Sequence, residues 1–203
     1  MANSTSRRTT SVKYNSRAGV MFEAIRKNVN LVSADILDLG CGYGDLGTYS
    51  ATHGARHVTF VDKDESVILI SRAKIIQKAP KGLTWQALVL DIDDRHQLAS
   101  LGYYHVAYCT SVLPYLKNRD MVLGFMASRA ETSVIEMQYY GDGPGPESIR
   151  DDDDMGMWLE NFWASVEAIG KSYTGRTPAF RTLWKCTNGG EEWQEKLRPR
   201  SSK

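Results

Sequence analysis

The most constraining feature of this sequence is a turn with glycine at positions 40, 42, 44 and 47, which follows a short apolar segment at residues 36–39. Glycines at this spacing allow a chain to pass sharply from a strand into a helix and to lie close to a bound ligand. Asp38 stands directly before the turn, so its carboxylate is expected beside that ligand. The segment therefore predicts a binding site at the end of a buried strand, for a ligand that carries a positive group.

Strand-like and helix-like segments alternate through the central part of the chain, from residue 14 to residue 188. The predicted strands are 36–39, 58–61, 83–90, 105–110 and 133–139, and the predicted helices are 18–28, 46–53, 65–78, 95–101, 119–130 and 155–168. This alternation is typical of an α/β fold in which helices cover both faces of a mostly parallel sheet. Two further strand-like segments, 169–175 and 180–187, predict a closing antiparallel hairpin.

The chain has 203 residues, which is most simply one domain with a substantial core. Residues 1–13 and 189–203 are polar and charged, and we predict that they are flexible tails on a domain spanning residues 14–188. A formal net charge of +1 gives no overall field that would favour nucleic acid or a membrane surface.

Three cysteines without a CxxC pair indicate a reducing compartment and give no zinc pattern, so no metal is expected. The sequence contains no run approaching the ~18 apolar residues of a membrane span and no signal peptide. We therefore expect a cytoplasmic protein.

Acidic residues also follow the next two predicted strands. Asp62 ends the second strand, where a carboxylate is suited to accept hydrogen bonds from both hydroxyls of a ribose. Asp91 and Ile92 end the third, where they suit the exocyclic amine and the flat face of a base. Each carboxylate has a plainer interpretation as the cap of the following helix. However, the carboxyl ends of parallel strands lie along one edge of the sheet, so these aspartates are expected to lie close together. A capping role alone does not predict that three successive strands end in aspartate at this edge.

Residues 42–47 satisfy the short GxGxxG pattern of dinucleotide-binding proteins, and this leaves two cofactors to compare. Asp38 argues against a dinucleotide, because a pyrophosphate at a helix N-terminus favours donors and positive potential. S-adenosylmethionine suits the site better. It has no phosphate, and it offers an ammonium group to Asp38 and a ribose to Asp62.

Together these residues resemble the successive motifs of class I S-adenosylmethionine-dependent methyltransferases. The matching motifs are Asp38-x-Gly40-x-Gly42-x-Gly44, Val61-Asp62, Leu90-Asp91-Ile92 and Tyr108-Cys109-Thr110-Ser111-Val112-Leu113. The resemblance implies a Rossmann-like three-layer sandwich, whose seven-stranded, mostly parallel sheet ends in an antiparallel hairpin. His105 departs from the pattern, because many members have Asp there. The compact length and the Gly141–Gly145 loop also resemble small methyltransferases of bacteriophages.

The resemblance also implies where the cofactor lies. The methionine moiety is expected near the glycine turn, the ribose on Asp62 and the adenine near Lys63 and Asp91. The complete predicted cofactor site is Asp38, Gly40, Cys41, Gly42, Gly44, Asp62, Lys63, Asp91, Ile92 and Thr110.

The sequence identifies no catalytic base, and it does not identify the methyl acceptor. Glu136 and Gln138 interrupt an apolar strand, so either a substrate or internal hydrogen bonds must satisfy them. The candidate acceptor contacts are Tyr14, Arg17, Tyr115, Glu136, Tyr140 and Asp142. No separate recognition domain is expected, which favours a small molecule or an exposed side chain over nucleic acid. The alternatives are a nicotinamide oxidoreductase, a protein that binds the cofactor without methyl transfer, and a nucleic-acid methyltransferase.

Overall fold

The computed structural model describes residues 16–137, 151–174 and 177–188. The strands are β1 (Asp35–Leu39), β2 (His57–Asp62), β3 (Thr84–Val89), β4 (Tyr104–Thr110), β5 (Ala130–Met137), β6 (Ser165–Thr174) and β7 (Thr177–Thr187). The helices are α1 (Arg17–Asn28), α2 (Asp45–Thr52), α3 (Glu65–Lys78), α4 (Arg95–Ala99), α5 (Arg119–Arg129) and α6 (Asp152–Leu159), with a short 3₁₀ turn at Leu113–Tyr115. The predicted tails, 1–13 and 189–203, lie outside the described residues.

The strands form one seven-stranded sheet in the order β3-β2-β1-β4-β5-β7-β6. The first five strands pair in parallel, whereas β7 is antiparallel to both β5 and β6. This confirms the predicted α/β class and its antiparallel ending. The strand order reverses between β1 and β4, so a crevice opens at their carboxyl ends, which is where open α/β sheets bind ligands.

Alternation along the strands sends side chains into two separate cores. Ile36 packs on one face with Phe22, Ile25 and other residues of α1, α2 and α3. Its neighbour Leu37 packs on the opposite face with α4, α5 and α6. Because the sheet is covered on both faces, residues 36–39 of β1 are all buried, and Asp38 is the one charged residue among these four. No helix in the described part of the chain combines the length and apolar character of a membrane span.

The predicted helix at 155–168 is wrong beyond residue 159. α6 ends at Leu159, and β6 already begins at Ser165. Residues 166–168 alternate apolar, charged and apolar, and Val166 pairs with Cys186 and Glu167 with Lys185 on β7. These residues therefore pair with β7 as a strand and do not continue the helix. The predicted turn at 176–179 is also displaced, since β7 starts at Thr177.

Gly47 marks the close approach of α2 to the sheet. A Cβ at this position would overlap the ring of Phe60 and lie 3.0 Å from Val58 Cγ1. We therefore expect Gly47→Ala to lower the free energy of unfolding by about 1–3 kcal/mol, measured by urea denaturation. Gly124→Ala in α5 is the control, because a Cβ there meets no atom within 4 Å, and its stability should be unchanged or raised. Equal stability of the two variants would contradict this account.

Candidate cofactor and acceptor site

The glycine turn connects β1 to α2 and forms one side of the crevice. Gly40, Gly42 and Gly44 all have left-handed backbones, with φ of +63°, +51° and +67°. Gly40 also faces Val112, which follows β4, and a Cβ on Gly40 would lie 2.7 Å from Val112 Cγ2. The bare backbone is therefore required both by the turn and by the narrow gap between the ends of β1 and β4.

Asp38 is buried beneath this turn, with 2% of its surface exposed. One carboxylate oxygen accepts a hydrogen bond from the Gly47 backbone N–H at 3.1 Å, so Asp38 does hold the first turn of α2. Burial is the main cause that raises the pKa of Asp38 to about 7; the Gly47 bond acts to lower this pKa, and the nearby Asp45 and Asp62 act to raise it. A cation beside Asp38 would stabilise the ionised form.

Asp62 and Asp91 do not cap the helices that follow them. Asp64 caps α3, and Asp94 caps α4 by accepting from the backbone N–H of His96 and Gln97. Asp62 instead accepts from the Gly42 backbone N–H at 2.9 Å and from that of Asp64 at 3.0 Å. Its carboxylate therefore links the end of β2 to the glycine turn.

A first pocket lies between the ends of β1, β2 and β3. Its lining residues are Gly40, Asp62, Lys63, Leu90, Asp91, Ile92, Val112, Tyr115 and Leu116. Three of these residues, Leu90, Val112 and Leu116, were not in the predicted site, and neither was Asp93, which lies close by along the chain. The Asp93 carboxylate accepts from the backbone N–H of Lys117 and Asn118 at 2.9–3.1 Å and so fixes the segment after Tyr115. The Asp-Ile-Asp spacing at 91–93 was the available signal.

A second pocket lies on the other side of Gly40, between the glycine turn, the end of β4 and the start of α1. Its lining residues are Ser16, Arg17, Ala18, Met21, Asp38, Gly40, Cys41, Gly42, Asp45, Leu46, Thr110 and Ser111. Burial raises the pKa of the Cys41 thiol, so this thiol is not an activated nucleophile. Gly40 lines both pockets, so the two pockets adjoin at the glycine turn along the carboxyl edge of the sheet.

Glu136 and Arg17 meet below the second pocket. The Arg17 Nη2 donates to both carboxylate oxygens of Glu136, at 2.6 and 2.7 Å, and Glu136 is fully buried. Internal hydrogen bonds therefore satisfy Glu136, as one of the two alternatives predicted. The ring of Tyr115 is 70% exposed at the mouth of the first pocket. Tyr14, Gln138, Tyr140 and Asp142 lie outside the described residues.

A family model described as "Methyltransferase domain" matches residues 36–129 of this chain. That range begins in β1, ends in α5 and contains the glycine turn together with Asp62 and Asp91. The matched segment is just under half of the chain, and it is similar to a methyltransferase domain. The match favours the methyltransferase over the nicotinamide oxidoreductase that the GxGxxG pattern had left open.

Three solved structures with a similar fold are compared with this chain in turn. Magnesium protoporphyrin IX methyltransferase (ChlM) from Synechocystis PCC 6803, crystallised with bound SAM, is 18% identical with a TM-score of 0.66, covering 85% of this chain and 78% of that one. The bifunctional kinase-methyltransferase WbdD is 20% identical with a TM-score of 0.67, covering 83% of this chain and 39% of that one. TehB from Haemophilus influenzae is 19% identical with a TM-score of 0.62, covering 86% and 64%.

The chain therefore spans about two fifths of the length of WbdD but most of the length of ChlM. At these identities the likeness establishes the fold of the domain. No curated protein matches the sequence.

Proposed function

We propose that this methyltransferase domain transfers the methyl group of S-adenosylmethionine, its cofactor, to an oxygen or nitrogen nucleophile of a small molecule or an exposed side chain. The observation that carries the proposal is the pair of pockets that adjoin at Gly40, where Asp38, Asp62 and Asp91 lie at the carboxyl ends of three adjacent strands. These carboxylates match the ammonium, the ribose hydroxyls and the adenine amine of one ligand.

In the proposed arrangement the first pocket holds the adenosine. Asp62 accepts from the ribose hydroxyls, Ile92 packs against the adenine, and Lys63 and Asp91 lie at its polar edge. The second pocket holds the methionine moiety. Asp38 pairs with its ammonium group, and Cys41, Gly42 and Thr110 line the pocket around it. The predicted residue Gly44 lines neither pocket and contributes a left-handed position to the turn, facing Ser71 and Phe60.

S-adenosylmethionine supplies a methyl group on a positively charged sulfur. The nucleophile's lone pair forms the new bond to carbon as the carbon–sulfur bond breaks, and the electron pair of that bond stays on sulfur. A proton then leaves the acceptor. The task of the protein is to hold the nucleophile in line, within ~3–3.5 Å of the methyl carbon, which alone supplies much of the rate.

For the acceptor, we propose a position beside Arg17, Ser111 and Tyr115, where the crevice opens to solvent. Glu136 is withdrawn as an acceptor contact, because it is fully buried and its oxygens accept internal hydrogen bonds. Tyr14, Tyr140 and Asp142 lie outside the described residues and remain candidates from the sequence. The free thiols Cys41, Cys109 and Cys186 support a location in the cytoplasm.

Calorimetry with three ligands on one sample tests the cofactor. We expect S-adenosylmethionine and S-adenosylhomocysteine to bind and NAD not to bind, because Asp38 disfavours a pyrophosphate at the start of α2. Binding of NAD alone would overturn the proposal.

A label-transfer screen tests the acceptor half separately. Methyl-labelled cofactor is offered with pools of small molecules, peptides and nucleic acids, and we expect label in the first two. Label found only in nucleic acid, with retention that falls steeply with salt, would identify the nucleic-acid alternative. Cofactor binding without label in any pool would support the alternative without transfer.

A further inference from the structure

Glu136 is the next-to-last residue of β5, and its carboxylate contacts Arg17 and Ser111, which line the second pocket. Its Cα is in register with Thr110 on β4 and with Leu183 on β7. The side chain is fully buried, and a buried carboxylate is stable only when charges and donors compensate it. Its partners therefore show what it holds in place.

Four side chains surround this carboxylate, from α1, from the segment after β4, from β6 and from β7. Arg17 Nη2 contacts both oxygens, Ser111 Oγ donates to one oxygen at 2.7 Å, and Ser172 Oγ donates to the other. Arg181 Nη1 lies 3.6 Å away. Burial acts to raise the pKa of Glu136, but the charge of Arg17 and the donated hydrogen bonds outweigh it, and the pKa is lowered. Glu136 is therefore ionised at neutral pH.

The first of these partners holds the wall that α1 contributes to the pocket. Phe22 and Ile25 are fully buried and anchor the second half of α1 in the core. The amino end of α1 is where Ser16, Arg17 and Ala18 line the pocket. The pair between Arg17 and Glu136 ties this end of the helix to the sheet.

The second partner holds the opposite wall. Ser111 has a left-handed backbone with φ of +64°, which costs a non-glycine residue about 1–2 kcal/mol. Glu136 holds this conformation through two bonds, because its carbonyl accepts from the Ser111 N–H at 3.2 Å and its carboxylate accepts from the hydroxyl. One residue of β5 thus fixes both sides of the methionine pocket.

We propose that Glu136 is a positioning residue that holds the methionine pocket closed, through Arg17 on one side and Ser111 on the other, and so sets how long cofactor and product stay bound. The inference rests on the proposed function, because it takes the occupant to be S-adenosylmethionine or S-adenosylhomocysteine. It requires no direct contact between Glu136 and the ligand.

Glu136→Gln tests this proposal, with association and dissociation of S-adenosylhomocysteine followed by stopped-flow fluorescence. Glutamine keeps the shape of the side chain but removes the charge that holds Arg17. We expect the dissociation rate to rise at least 10-fold and the association rate to change less than 3-fold. Glu23→Gln is the matched control, since it removes an exposed pair with Arg26 on the same helix, and its rates should equal those of the wild type.

A double-mutant cycle shows whether Glu136 acts through Arg17. If Glu136 acts through Arg17, the double variant should release S-adenosylhomocysteine less than 3-fold faster than the Arg17→Gln single variant does. Dissociation within 2-fold of the wild type in folded Glu136→Gln would overturn the proposal, and so would independent, multiplying effects of the two substitutions.

Two milder variants keep the test decisive if Glu136→Gln does not fold. Glu136→Asp shortens the carboxylate, and Ser172→Ala removes one of its donors from outside the pocket. Both should raise the dissociation rate at least 3-fold, and unchanged rates in both would overturn the proposal. A wild-type protein that binds neither ligand would instead refute the proposed function, so the two failures are distinguishable.

Discussion

Replacing Asp38 with asparagine is expected to weaken S-adenosylhomocysteine binding by roughly 10- to 100-fold at pH 8, because a charge-assisted hydrogen bond to a buried carboxylate contributes about 1.5–3 kcal/mol. The wild-type affinity should also depend on pH. Since burial raises the pKa of Asp38 to about 7, the free protein must lose a proton to bind the ammonium group at lower pH. Affinity should therefore rise with pH up to about 7 and then level off, whereas the asparagine variant should show no such rise. Calorimetry at pH 5.5 to 8 measures both effects.

The stability of the unliganded wild-type protein should fall as the pH rises, whereas its affinity for the ligand should rise. The pKa of Asp38 is higher in the folded state than its ordinary value of 3.8, so the folded state binds more protons between these two values. Stability is therefore lost as pH rises from about 4 to about 7, and Asp38→Asn removes this loss. In urea unfolding, the variant should be more stable than the wild type at pH 8. This advantage in the free energy of unfolding should be smaller at pH 5. If the affinity of Asp38→Asn for S-adenosylhomocysteine still rose with pH as in the wild type, Asp38 would not be the group that binds the ammonium.

The sequence predicted the fold well where local pattern and long-range packing agree. The helix predicted at 65–78 is α3 to the residue, because an aspartate cap, an apolar stripe and a following proline mark its bounds. The helix predicted at 155–168 extended too far because residues 160–168 contain no glycine or proline to mark the end of α6. Only the presence of β7 beside residues 165–168 makes them a strand.

In the candidate site, too, the sequence predicted what depends on local pattern but not what depends on distant residues. Asp38, Asp62 and Asp91 were predicted to share one edge, because parallel strands place their ends together. The sequence did not say which partner would satisfy Glu136. Its partners Arg17, Ser111 and Ser172 lie 119, 25 and 36 residues away along the chain, and short-range spacing carries no information about such distances. The left-handed backbone of Ser111 was equally unpredictable, since serine has no preference for that conformation.

Asp62→Ala should weaken S-adenosylhomocysteine binding at least about 100-fold, because two ribose hydroxyls would lose a charged acceptor, at about 1.5–3 kcal/mol each. The same substitution takes the acceptor from the Gly42 N–H, so lost affinity alone does not separate the ribose from the turn. Adenosine and its 2′- and 3′-deoxy forms separate them. In the wild type each missing hydroxyl should cost affinity, and in the variant all three ligands should bind equally weakly. Asp64→Asn, which alters only the cap of α3, should bind like the wild type. If the deoxy forms lose as much affinity in Asp62→Ala as in the wild type, then Asp62 acts through the turn and the ribose lies elsewhere.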